Sequence, residues 1–112
     1  MKKIKVSEAG GYALDWLVAT ADKQRIVWDK EDETLYVGGS PYSPTQFWSQ
    51  MGPIIEREKI QLNPSITSAT WSAACPYHGQ CIHVFGPTPL IAAARCYVAS
   101  KLGDEVEVPD GL

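Results

Sequence analysis

Apolar residues along this chain recur at two spacings, one helical and one extended. The longest helical run covers residues 90–102, where Ile91, Ala94, Val98 and Leu102 share one stripe. It holds no Gly or Pro and has three consecutive alanines, Ala92, Ala93 and Ala94, so helix propensity is high and close neighbours fit. Thr88 is placed to cap it, Pro89 falls at the first helical position, and Gly103 follows the last turn beside Lys101. A second stripe of Leu14, Leu17, Val18 and Ala21 predicts an N-terminal helix, capped by Ser7 with Glu8 in its first turn. Tyr12 and Trp16 stand on its other side, four residues apart.

Between these helices the β-branched and aromatic residues predict strands over 25–29, 34–37, 65–74 and 82–85, with shorter extended pieces at 2–6 and 60–62. The acidic stretch 29–33 reads as a solvated turn, and 38–42 as a loop. Ser43, Pro44, Thr45 and Gln46 read as a capping box for a short helix that buries Phe47, Trp48 and Met51. Gly52-Pro53 is expected to break or kink that helix, because Pro53 has no N–H to donate. The order of elements predicts an α+β fold: an antiparallel sheet of about four or five strands, packed by N- and C-terminal helices and a central Pro-broken helix.

A chain of 112 residues supports one core, so residues 1–112 are read as a single domain, with 103–112 an acidic tail whose Val106 and Val108 can dock on the sheet. Net charge is −3 and the only basic run is Lys2-Lys3, which argues against generic electrostatic binding to nucleic acid. No apolar run approaches the roughly 18 residues of a membrane span, and residues 1–11 lack the apolar segment of a signal peptide. Three cysteines, an odd number, fit a reducing compartment better than a disulfide framework.

Candidate chemistry is sparse. Arg95 falls about 40° from the centre of the last helix's apolar stripe, where a guanidinium needs a partner. It must snorkel to solvent, pair with a carboxylate such as Asp15 or Glu56, or meet a bound anion. Tyr42, Ser43 and Trp48 set aromatic faces beside a helix start, and with Thr88 and Arg95 they form the expected ligand-binding set. Tyr12 and Trp16 are the expected partner surface, or are covered by the chain's own loops. Cys75, His78, Cys81 and His83 lie close together at a hairpin tip. They are read as packing or solvated side chains, with a zinc site and a Cys75–Cys81 disulfide as alternatives. Cys96 reads as a small structural side chain, away from that group in sequence. No nucleophile elbow, Walker loop or dinucleotide fingerprint is present, so no catalytic residue is assigned.

Several stretches together resemble the phage NinX-type proteins, small accessory proteins of lambdoid phages and prophages. These are Leu14-Asp15-Trp16, Tyr42-Ser43-Pro44, the run from Gly52-Pro53 through Arg57-Glu58, and above all GPTPLIAAARCYVASKLGDEVEVP at 86–109. The layout is also similar to phage domains described as α/β/α sandwiches. The resemblance implies phage origin and action in the cytoplasm of an infected bacterium. It implies no reaction, and the Cys75–His83 cluster is not part of the family pattern. The expected function is therefore a non-enzymatic accessory protein without a cofactor. It would bind a host protein, or sequester a small nucleotide-like anion used in bacterial defence. A zinc-stabilised interaction module and a Cys/His hydrolase are the alternatives. A homodimer is compatible with the outward aromatics.

Overall fold

Thr88 opens the last helix as its position predicts: its hydroxyl accepts from the Ile91 N–H at 3.1 Å, with Pro89 as the first helical residue. The computed structural model that shows this describes residues 1–77 and 80–112, and the side chains outside 77–82. In chain order the elements are β1 (Lys2–Lys5), a 3-10 turn (Val6–Glu8), α1 (Gly11–Ala21), β2 (Ile26–Asp29), β3 (Thr34–Val37), β4 (Ser40–Pro41) and α2 (Trp48–Glu58). Then come β5 (Gln61–Pro64), β6 (Trp71–Tyr77), β7 (Gln80–Gly86), α3 (Pro89–Leu102) and β8 (Glu105–Val108).

The class is α+β with antiparallel pairing, as expected, but the strands form three small sheets instead of one. β1 pairs with β8, β2–β3–β4 form a meander, and β5–β6–β7 form another. Nor do helices sandwich a single sheet. α3 touches β5, β6 and β7 as well as α1 and α2, while α1 also packs on β2 and β3. This explains why α3 departs from the one-stripe expectation: Leu90, Ala92, Ala93, Ala94, Cys96, Tyr97, Val98, Ala99 and Ser100 are all buried. A helix covered on most of its surface lies at the centre of the core, and only Pro89, Ile91, Arg95, Lys101 and Leu102 of α3 reach solvent, so Leu102 leaves the stripe it was expected to share. Among the described residues no helix is long and apolar enough to cross a membrane.

Several local expectations are corrected. Residues 65–70 are a turn, and β6 starts only at Trp71. Ser65 closes that turn, its N–H bonding Thr70 O at 2.9 Å and its hydroxyl accepting from the Thr67 and Ser68 N–H groups. Such local bonds outcompete a ladder. Gly38 and Gly39, both at positive φ, make a two-residue hairpin turn between β3 and β4 where a loop was expected. Ser7 sits in the 3-10 turn, and Gly10 takes the N-cap position of α1. The capping box at Ser43 does not form. Residues 43–47 are a turn, α2 begins at Trp48, and it runs through Pro53 without a break. Its buried residues are Met51 and Ile54, whereas Phe47 and Trp48 are more than half exposed.

The C-terminal segment is structural. In the β1–β8 register Lys2 and Ile4 face Val108 and Val106, and both valines are buried. On the other face Lys3 and Lys5 stand opposite Glu107 and Glu105, which sets unlike charges across the ribbon.

Candidate ligand-binding site

Arg95 is held by backbone, and neither Asp15 nor Glu56 pairs with it. Its Nε donates to Ala9 O at 2.8 Å and its Nη1 to Phe85 O at 2.9 Å. These bonds clip α3 to the turn before α1 and to β7. Among the described residues no carboxylate reaches ion-pair distance of the guanidinium, and its Nη2 makes no hydrogen bond. Burial alone, with no acidic neighbour opposing it, lowers its pKa from the ordinary value. The group is half-buried and still cationic, since an arginine does not lose its proton in a protein.

The side chain lines an open pocket of about 670 Å³ between β7 and the start of the β1–β8 ribbon. Lys5, His83, Phe85, Asp104 and Glu105 share its walls. Lys5 stands opposite Glu105 in the ribbon register, and among the described residues no carboxylate of the pocket is within ion-pair distance of Arg95. Phe85 is 63% exposed beside it. Alternation along β7 could have found Phe85: Val84 pairs with buried Ala73, so the next side chain must face outward. Lys5 and Glu105 are brought here only by the pairing of the chain ends, for which no local pattern exists.

Of the other expected ligand residues, none lines this pocket. Thr88 is exposed and bonds to Ile91, seven residues before Arg95 on the same helix. Ser43 donates its hydroxyl to Asp15 Oδ2 at 3.1 Å, and its N–H bonds Gln50 Oε1 at 2.6 Å. The Thr45 N–H completes this turn with a 3.0 Å bond to Asp15 Oδ1. Asp15 is 2% exposed, and burial raises its pKa against the lowering effect of those donors. Tyr42 is pushed up to about 12, first by burial and then by the charges of Asp22 and Asp15.

Tyr42 belongs to a second polar cluster, at the C-terminal end of α1. There Arg57 Nη2 donates to Asp22 Oδ1 at 2.9 Å and to the Tyr97 hydroxyl at 3.1 Å, and Tyr97 donates to Asp22 at 3.2 Å. Arg57 also pairs with Glu58, which Lys101 approaches at 3.1 Å. Its charges are matched, which marks this cluster as a clamp between α1, α2 and α3. The Arg95 pocket lies near the other end of α1, roughly 15 Å away along the helix.

Tyr12 and Trp16 also part company. Tyr12 is exposed and rests on the Trp28 ring at 5.0 Å, while Trp16 is half-buried against the core. In the cysteine–histidine group, His78 and the side chain of Cys81 lie outside the described residues. Cys75 is buried, whereas His83 is exposed and pairs with Ala74, the neighbour of Cys75. Adjacent strand positions face opposite sides, so one site cannot take both Cys75 and His83.

The geometry thus defines a small α+β protein with a side pocket lined by a guanidinium, and no assembled catalytic group among the described residues. The family model of bacteriophage P22 NinX matches residues 5–101, and the chain belongs to that family. It is a phage accessory protein. Comparison with curated proteins finds no match.

Proposed function

We propose that this protein acts by binding in the cytoplasm of the infected bacterium, and that it captures a small nucleotide-like anion in the Arg95 pocket. One observation carries the reading: a half-buried guanidinium lines an open pocket, and among the described residues its Nη2 makes no hydrogen bond and no carboxylate is within ion-pair distance. A guanidinium recognises phosphate by charge-assisted, directed hydrogen bonds. Phe85 supplies an exposed ring on which a base can stack. Sequestering a nucleotide signal of host defence needs no catalytic group, only affinity.

The test is thermal shift, followed by calorimetry, with a panel of nucleotides, cyclic and linear dinucleotides, and inorganic phosphate. A ligand should raise the melting midpoint in proportion to the logarithm of its concentration. Arg95→Met should abolish that rise. Because Arg95 also clips Ala9 and Phe85, the variant Phe85→Ala is tested beside it and should weaken nucleotides more than phosphate. A panel with no shift for wild type ends this reading. A second reading, capture of a host protein, is favoured by Phe47 and Trp48, adjacent aromatics exposed at the start of α2.

A further inference from the structure

Cys96 reads from the sequence as a small structural side chain away from Cys75, yet the two sulfurs lie 3.1 Å apart in the core. Cys75 is on the face of β6 that packs on α3, and Cys96 is on α3 itself. Both carry thiols and both are buried, at 2% and 0% exposure. The Cys75 thiol also points at the Cys96 carbonyl, 3.8 Å away. Two sulfurs in such contact, on rigid elements, need only a small approach to reach bonding distance of about 2 Å.

We propose that Cys75 and Cys96 are a peroxide-responsive pair that closes to an intramolecular disulfide and so bolts β6 to α3. The stoichiometry is two thiols and one peroxide to one disulfide and two waters. The thiolate of one cysteine attacks a peroxide oxygen and breaks the O–O bond. This gives a sulfenic acid and a hydroxide, which takes up the released proton. The second thiolate then attacks the sulfenic sulfur. The S–S bond forms and hydroxide leaves, taking the second proton as water. Each sulfur gives up one electron, and the peroxide is reduced.

Burial sets the kinetics. Peroxide reaches these sulfurs only when the sheet opens from the helix, so closure is slow and tracks local opening. The bridge encloses the whole of β7 and the first half of α3, so it also fixes the two elements that Arg95 joins. Binding at Arg95 is not required for the bridge, and the two ideas fail independently.

The experiment treats the reduced full chain with hydrogen peroxide, blocks remaining thiols with iodoacetamide, and maps peptides without reduction. The expected product is a monomer two hydrogens lighter than the reduced chain before alkylation and carrying a single carbamidomethyl group after it, with Cys75 and Cys96 in one cross-linked peptide and Cys81 alkylated. Its melting midpoint should rise and return on reduction. Cys81→Ser should form the same bridge. The proposal is overturned by a bridge that includes Cys81, by a disulfide only between chains, by sulfinic acid without a bridge, or by no oxidation at doses that fully oxidise glutathione.

Discussion

Asp15 shows how one buried carboxylate can shape a turn at a cost. It accepts from the Ser43 hydroxyl and the Thr45 N–H, and Thr45 is itself buried. Asp15→Ala would strand that N–H, so a loss of about 1–3 kcal/mol is expected in urea unfolding. Asp15→Asn keeps an acceptor and removes the charge that burial opposes. Because burial raises the folded pKa of Asp15, its protonated form favours the native state. That contribution is present below the unfolded value of about 4 and is lost as pH rises through the higher folded value. Wild type should therefore lose stability relative to Asp15→Asn as pH goes from about 4 to 7. Parallel unfolding curves for the two proteins across that range would refute the assignment.

The elements were legible where a single local rule decides, and illegible where distant partners decide. Thr88, Pro89 and Gly103 bound α3 because capping is local chemistry. Ser43 has the same local credentials, yet Asp15, from 28 residues earlier, takes its hydroxyl, and the helix starts later. Arg95 was marked by its position on the stripe, but a backbone carbonyl is invisible to residue patterns, so its true partners could not be read. The proximity of Cys75 and Cys96 follows from β6 packing on α3, which no spacing encodes. That packing leaves its own testable mark at Gly86. A Cβ there would come within 2.7 Å of the Ala92 backbone N and 3.0 Å of its Cα. Helix backbone cannot step aside as a side chain can, so Gly86→Ala should cost about 1–3 kcal/mol. Thermal unfolding of that variant gives the answer, and an unchanged midpoint would mean that β7 does not rest on α3 this closely.

At the scale of the molecule, the ribbon of β1 and β8 closes the fold. Val106 and Val108 are buried on it, and Val6 joins it through an N–H bond to Asp104 O at 2.8 Å. Removing residues 104–112 would strip two buried valines, worth roughly 3–6 kcal/mol by transfer energy, and would leave β1 without a ladder. Against a total stability of about 5–15 kcal/mol, such a chain should melt more than about 10 °C lower or lose its cooperative transition. Circular dichroism on the shortened chain tests this, and an unaltered melt would show the ribbon to be peripheral. The same pairing governs events at the ribosome. β1 is made long before β8, so through most of the synthesis of this domain the growing chain holds an unsatisfied edge and a bare apolar face. Completion of the native core therefore waits until β8 is clear of the ribosome, and is set by the loop-closure search of two strands far apart in the chain.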